Sequence, residues 1–243
     1  MSERQNNRKK DVYFYPEMLR RIHISFLMFA IALAVNSLAQ SPEYRLETFG
    51  TRNGMLSSKV YALAQTSDRK LWIGTELGVS VYDGYSFTNY QYTSSNETIG
   101  RVLCITQDSL KGIWIGGDKG LFYLHGNSIK KMELQSKTQL AVEALLTDAG
   151  GNVWAGDLNA LFKITSQQIQ QVHKEHRAII DLTPFASFTK RVYCIAEDSK
   201  QNIYAGSYNG VFKIMANANS YETFWANPDP YQPVRSLTAI SPD

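Results

Sequence analysis

Two stretches of this chain combine glycines with polar and charged residues in the manner of a phosphate-cradling loop: Gly-Thr-Glu-Leu-Gly at 74–78 and Gly-Gly-Asp-Lys-Gly at 116–120. Such a loop ends in Gly-Lys-Ser/Thr and opens a helix whose amides point at the anion. Neither stretch has that ending and neither precedes a helical pattern, so structural turns are expected, with no cofactor. A second candidate is His-Lys-Glu-His at 173–176, two imidazoles three residues apart that one helix face would present to a metal. No third ligand is evident, and the stretch lies in a long inter-strand segment. A solvated loop without metal is therefore expected there. Cys104 and Cys194 are too few for a disulfide framework.

Composition narrows the scaffold that must position these residues. Hydrophobic residues make up 44% of the 243 and charged residues 19%, an ordinary globular balance. Aromatics reach 12%, with 14 tyrosines, a usage that suits strands better than helices. The formal charge of +3 comes from the first 39 residues, where six Lys/Arg stand against Glu3, Asp11 and Glu17. The rest of the chain is neutral, which gives no electrostatic case for nucleic acid. Within the basic N-terminus, Arg20 and Arg21 precede an apolar run from Ile24 to Val35, and Ser37-Leu38-Ala39 offers small residues for cleavage before Gln40. Twelve helical residues span roughly 18 Å, short of the ~30 Å hydrocarbon core. A secretory signal over about 18–39 is preferred to a membrane anchor or a buried helix, with translation starting at Met1 or Met18. Export to a periplasm follows.

Beyond residue 40 the chain repeats. "LWIGTELGVSVYDG" at Leu71 is followed by "IWIGGDKGLFYLHG" at Ile113, "VWAGDLNALFKITS" at Val153 and "IYAGSYNGVFKIMA" at Ile203. Trp72, Trp114, Trp154 and Tyr204 are spaced by 42, 40 and 50 residues, and Gly74, Gly116, Gly156 and Gly206 form an unbroken column two positions on. Upstream lie short apolar runs such as "VYALAQ", then Asp108, Asp148 and Asp198, with Thr66 in their place in the first copy. Runs of four to six β-branched and aromatic residues between Asp, Asn and Gly are strands, and four antiparallel strands per repeat make the blade of a β-propeller. No ten-residue amphipathic segment is expected between these glycines. The fold class is all-β: an incomplete β-propeller of about four four-stranded blades plus the first strand of a fifth. An extension and signal occupy 1–39. The propeller occupies 40–243, with repeats at about 54–90, 96–131, 138–171, 188–225 and 233–243. Each aromatic should face the next blade, the first glycine should admit a neighbouring backbone, and the second should supply φ > 0.

These residues resemble a known family. "GMLSSKVYALAQTSDRKLWIGTELGVSVYDGYSFTNY", from Gly54, is similar to the two-component regulator propeller repeat, with Gly54, Leu56, Ser57, Ser58, Val60, Trp72, Ile73, Gly74, Thr75, Gly78, Tyr82, Asp83 and Gly84 in its places. Lys59, Thr66 and Val79 depart from it. The likeness covers about Tyr44 to Asp243 and weakens in the third and fourth copies. It implies the periplasmic sensor of a hybrid histidine kinase in a polysaccharide-utilising bacterium, where seven-bladed propellers precede a membrane span and the kinase. The parent protein would sit in the inner membrane, and the remaining blades and the kinase would be partners within it. A fifth copy is expected where Leu237, Ile240 and Asp243 match Val192, Ile195 and Asp198, so the chain reads as truncated or partial. No catalytic residue is expected in it.

Equivalent positions in a ring converge on one rim. Just before each inner strand stand Lys59, Arg101, Ala141, Arg191 and Ser236, and three basic residues there would favour an anionic oligosaccharide. The turns after the central glycine bring Glu76, Asp118, Lys119, Asp157, Asn159, Tyr208 and Asn209 to the same rim, where Tyr208 would stack on a sugar face and the carboxylates accept from hydroxyls. Solvated rim charges are the plainer reading. Two other functions stay open: a secreted structural or protein-binding propeller, and an exported lyase of the streptogramin type. The lyase needs a channel-facing base, and His125 falls at the opposite rim with no partner evident. Cys104 and Cys194 share a small-residue column with Ala62, Ala144 and Ala239 and belong to non-adjacent blades, so free thiols are expected.

Overall fold

The alternation of short apolar strands with Asp- and Gly-bearing turns folds into four-stranded antiparallel sheets. A computed structural model describes residues 20–29, 46–134, 141–175, 179–180, 184–187, 191–216, 218, 220–229 and 232–238. The chain divides into a unit of residues 1–48 and a unit of residues 49–243. In the first, residues 20–29 are helical and exposed; the remainder of the 18–39 segment lies outside the described residues. Among the described residues no helix is long and apolar enough to cross a membrane.

The second unit holds four sheets of four strands. Blade 1 is β1 (Val60–Gln65), β2 (Leu71–Thr75), β3 (Gly78–Tyr82) and β4 (Phe87–Tyr90), and blade 2 is β5 (Val102–Gln107), β6 (Ile113–Gly117), β7 (Gly120–His125) and β8 (Ser128–Lys131). A short strand, β9 (Glu133–Leu134), pairs in parallel with β13 (Ile179–Ile180). Blade 3 is β10 (Ala144–Thr147), β11 (Val153–Gly156), β12 (Ala160–Ile164) and β14 (Pro184–Ser187), and blade 4 is β15 (Val192–Glu197), β16 (Ile203–Ser207), β17 (Gly210–Ile214) and β18 (Tyr221–Ala226). The described sheets form an arc of propeller blades and do not close a ring.

Blades stack through the aromatic column. Trp72, Val79 and Val81 share one buried cluster with Val102, Ile113 and Ile115 of the next blade. Trp114, Leu121 and Tyr123 do the same with Val142, Val153 and Ala155, and Trp154 and Leu161 with Val192, Ile203 and Ala205. Each indole removes ~150–250 Å² from water, several kcal/mol at about 25 cal/mol per Å² before entropy is counted. The first glycine column is required by this stacking. A Cβ on Gly74 would lie 2.8 Å from Val102 Cγ1 and 3.0 Å from the Val102 carbonyl oxygen. The second column turns the chain with positive φ at Gly78, Gly120 and Gly210. Main-chain bonds clip the blades together: Val142 N–H donates to the Gly117 carbonyl (3.1 Å), Val192 N–H to that of Asp157 (2.9 Å) and Val234 N–H to that of Ser207 (3.1 Å).

That last bond corrects the register expected for the fifth copy. Val234 packs on Gly206 as Val192 packs on Gly156, and Cys194 Sγ–H donates to the Val234 carbonyl at 3.4 Å. Val234 therefore holds the place assigned to Leu237, and the residue before it is Pro233 rather than Ser236. Ser236 falls in the small-residue column assigned to Ala239, which lies outside the described residues. Blade 3 also departs from the expected 138–171 boundary, because its fourth strand lies at Pro184–Ser187. Between β12 and β14 runs a ten-residue helix, Ser166–Glu175, where only loop was expected. Thr165 and Gln168 start it with a reciprocal cap: Thr165 N–H donates to Gln168 Oε1 (2.9 Å) and Gln168 N–H to Thr165 Oγ1 (3.3 Å). Its buried Ile169 and Val172 join the Trp114 and Tyr123 cluster.

The aspartates before each second strand anchor the blades from within. Asp108 Oδ2 accepts the Trp114 indole N–H (2.9 Å), while Oδ1 accepts the N–H groups of Leu110 (2.9 Å) and Gly112 (2.8 Å). Asp148 accepts from Trp154 (2.8 Å), and Asp198 accepts the Tyr204 hydroxyl (3.1 Å). In blade 1 Trp72 donates instead to Thr66 Oγ1 (3.2 Å), whose own proton goes to Asp68 (2.5 Å). Asp108→Ala strands three donors beside a fully buried indole and is expected to cost about 2–3 kcal/mol, against about 1 kcal/mol for Thr66→Ala. Urea unfolding followed by tryptophan fluorescence checks this, and equal losses would count against the anchor.

Candidate functional site

The rim is built where inner strands begin. There β1, β5 and β15 each carry a register irregularity just after the opening valine, between Val60 and Ala62, Val102 and Cys104, and Val192 and Cys194. The bulged strand is re-aimed at that point. The residue after the valine in each copy is Tyr61, Leu103, Glu143, Tyr193 or Arg235. Of these, Tyr61, Glu143 and Tyr193 are each met by a basic residue of the following copy, Arg101, Arg191 and Arg235.

Lys59, Arg101 and Arg191, the basic residues expected just before inner strands, each have a partner. Lys59 Nζ lies 3.1 Å from Glu76 Oε1 within blade 1, both side chains exposed. Surface pairs of this kind contribute about 0–1 kcal/mol, so this one is easily rearranged. The Arg101 guanidinium lies over the Tyr61 ring of blade 1 at 5.6 Å, and its backbone N–H donates to Asp118 Oδ1 at 2.9 Å. Arg191 Nη1 reaches Glu143 Oε1 of blade 3 at 3.1 Å. Arg235 lies 5.3 Å over the Tyr193 ring, and Tyr193 meets Tyr208 edge-on at 5.3 Å and 75°.

The expected residues thus divide. Lys59, Glu76, Arg101 and Asp118 belong to the mouth at blades 1 and 2. Arg191 and Tyr208 belong to blade 4, in contact with Glu143, Tyr193 and Arg235. Asp157 stands apart, with its Oδ1 accepting the turn N–H groups of Asn159 (2.8 Å) and Ala160 (2.6 Å). It is buried, which raises its carboxyl above the usual range against those two bonds. Its chemistry is spent on the turn. Burial, then the Tyr208 hydroxyl, holds the Tyr193 phenol neutral, pushed up to about 12. Glu143, Tyr193 and Arg235 were missed because period-two alternation says nothing of a bulge. The available signal was the column itself, with large polar or aromatic residues after four of the five valines.

An aromatic ring can present its face to a pyranose, while a carboxylate and two guanidiniums hydrogen-bond its hydroxyls or a carboxylate. Among the described residues no group of three or more His, Cys, Asp and Glu is placed to hold a metal ion. The helix Ser166–Glu175 overturns the loop expected for the His-Lys-Glu-His stretch; His176 lies outside the described residues. The two cysteines are free, as expected. Burial pushes both thiols up, Cys194 to about 11. At pH 8 the folded chain is therefore expected to react slowly with a thiol reagent, and both cysteines rapidly in urea; fast native labelling would show the inner strands to be loose.

A family model described as "Two component regulator propeller" matches residues 54–76. No curated protein sequence matches the chain. Among solved structures, the extracellular domain of BT4673 from B. thetaiotaomicron, described as a hybrid two component system, is similar at TM-score 0.57 and 19% identity, over 82% of this chain and 25% of that one. Virginiamycin B lyase from Staphylococcus aureus is similar at TM-score 0.54 and 16% identity, over 70% of this chain and 56% of that one. An ancestral GH74 enzyme is similar at TM-score 0.54 and 15% identity, over 71% and 25%. The chain spans about a quarter of the BT4673 domain it matches, and likeness at these identities establishes the fold. Residues 54–76 are thus similar to the two component regulator propeller model, within an arc of β-propeller blades whose fold recurs in the extracellular domain of BT4673.

Proposed function

We propose that this chain is an exported, periplasmic ligand-sensing propeller segment of a hybrid two-component regulator. It binds a carbohydrate without chemically changing it and passes the signal to a kinase elsewhere in the parent protein. The observation that carries the ligand-binding part is the blade 3–4 mouth, where Glu143, Arg191, Tyr193, Tyr208 and Arg235 converge from three consecutive copies of the repeat. The repeat at 54–76 and the fold of the BT4673 domain support the sensor part.

The geometry favours a sugar for a physical reason. Tyrosine edges supply apolar contact and hydroxyls at low entropic cost, while Arg191 and Glu143 hold each other in place when no ligand is present. An acidic sugar would take Arg191 from Glu143 and lie beside Arg235. The Lys59–Glu76 pair and the Arg101, Asp118 and Tyr61 contacts form a second, weaker part of the same rim. The fold likeness to virginiamycin B lyase keeps a lyase as the second reading. It calls for a catalytic base at the channel mouth, whereas His125 ends β7, at the opposite end of the blade from the Arg101 at the head of β5.

Calorimetric titration of the chain with a series of neutral and uronate-bearing oligosaccharides tests the site. Arg191→Ala and Arg235→Ala are each expected to weaken an acidic ligand about tenfold or more. Tyr193→Ala should weaken neutral and acidic ligands alike. Undiminished binding by an Arg191→Ala, Arg235→Ala double variant would remove the rim as the ligand site. Cleavage of a bound ligand would replace the sensor reading with the enzyme.

A further inference from the structure

A groove runs between blades 1 and 2 where their inner strands end, at the opposite end of the strands from the rim. Trp72, Tyr90, Ile113 and Leu124 floor a cavity of about 230 Å³, and the turns at 66–70 and 126–127 wall its mouth together with Gln107 and Lys111. Between blades 2 and 3 the corresponding space is taken by the protein itself. Ile169 and Val172 of the helix Ser166–Glu175 pack there with Trp114, Val153 and Ile164, the counterparts of Trp72, Ile113 and Leu124. Between blades 3 and 4 the counterpart around Trp154, Ile203 and Ile214 is smaller, about 100 Å³.

The repeat fixes which positions line this groove, so its chemistry can be compared column by column. Between blades 3 and 4 four of the positions are Asp148, Asn152, Glu197 and Gln201; between blades 1 and 2 they are Thr66, Lys70, Gln107 and Lys111. Each exchange removes a negative charge or adds a positive one. Against them, Asp68 stands where blade 3 has Gly150. The outcome is two lysines with one carboxylate in the first groove, and Lys163 with the carboxylates of Asp148 and Glu197 in the second. The fold does not ask for the exchange. Gln107 Oε1 accepts the Ser67 N–H (2.8 Å) just as Glu197 Oε2 accepts that of Ala149 (2.8 Å), and Thr66 serves its indole as Asp148 does. Lys70 is paired with Asp68 at 3.0 Å, both exposed, a contact that opens easily. Lys111, exposed on a left-handed turn residue, has no acidic partner among the described residues.

We propose that the groove between blades 1 and 2 binds a sugar acid of single-ring size. Its volume is below the ~300 Å³ at which pockets for drug-sized ligands begin, and suits one pyranose. The carboxylate is drawn to Lys70 and Lys111, which bring charge-assisted hydrogen bonds from two blades. Tyr90, half-buried and parallel to Trp72 (6°, 6.1 Å between centroids), offers the ring an apolar surface. Gln107, with its Oε1 held by Ser67, keeps two Nε2 donors for hydroxyls, and exposed Asn127 adds both donor and acceptor. This site is separate from the carbohydrate-binding rim proposed above and does not rest on it.

Ligand-observed NMR titrations of the full chain with sodium glucuronate and sodium galacturonate test the site, beside glucose and sodium benzoate. They are run on the native chain and on the Arg191→Ala, Arg235→Ala double variant, in which the rim is disabled. At least one uronate should bind saturably to both, about tenfold or more tightly than glucose, which lacks the carboxylate, or benzoate, which lacks the hydroxyls. Lys111→Ala removes the charge and Asn127→Trp fills the space; each should weaken the uronate about tenfold or more. Lys200→Ala, in the corresponding turn of blade 4, should change nothing. All three replace exposed side chains, and circular dichroism confirms that the variants fold. A uronate that binds only while Arg191 and Arg235 are present would overturn this site and leave the rim standing. Uronates that bind no better than glucose or benzoate would also overturn it, as would undiminished binding by a folded Lys111→Ala, Asn127→Trp double variant.

Discussion

A buried indole N–H needs an acceptor, and the arc of blades depends on where each tryptophan finds one. Trp114 and Trp154 are packed against the next blade and shut off from water. Left unpaired there, each N–H would cost about 1–3 kcal/mol. The acceptor is an aspartate six residues upstream, at the turn between first and second strands. Its second oxygen closes that turn by accepting the amides that follow. One carboxylate therefore joins a hairpin, a core side chain and an inter-blade face. Blade 1 shows that the requirement is for an acceptor and not for aspartate as such, because Thr66 takes the place and passes its own proton to Asp68.

From that anchor the rest of each blade follows. With the aromatic fixed, the glycine two residues on must lie under the valine of the next blade, and the valine N–H reaches the end of the second strand. The inner strands β1, β5 and β15 then bulge, and beyond the last of these bulges Arg235 lies over Tyr193, the residue in the same place of the preceding copy. The rim contacts are a by-product of this repeated geometry. Residues with little in common in sequence, Glu143, Tyr193 and Arg235, fall in one column because the same backbone bonds recur in each copy. Function can vary along such a column without disturbing the fold, since neither the core nor the anchor uses it.

Where the chain departs from its repeat, it does so by insertion. The helix Ser166–Glu175 carries only Ile169 and Val172 as buried apolar residues, three apart. So thin a stripe does not stand out by periodicity. Thr165 and Gln168, in Thr-x-x-Gln spacing, were the legible signal of a helix start. The displacement of the fifth copy by three residues has a similar cause. Apolar residues at Val234, Leu237 and Ile240 recur every three positions, so pattern matching fits them in two registers. Only the contact of Val234 with Gly206 selects one.

The sequence by itself determined the all-β class, the strand order within each blade, the direction in which the aromatics point and the positions where glycine is obligatory. These depend on contacts that recur in every copy, and recurrence makes them visible as columns. Tertiary structure alone decided that Arg191 meets Glu143 rather than solvent, and that Asp157 serves its own turn. It also decided that His125 and His173, 48 residues apart, face each other. Each of these is made once, between copies that differ, and pairing across blades leaves no period in the chain to be read.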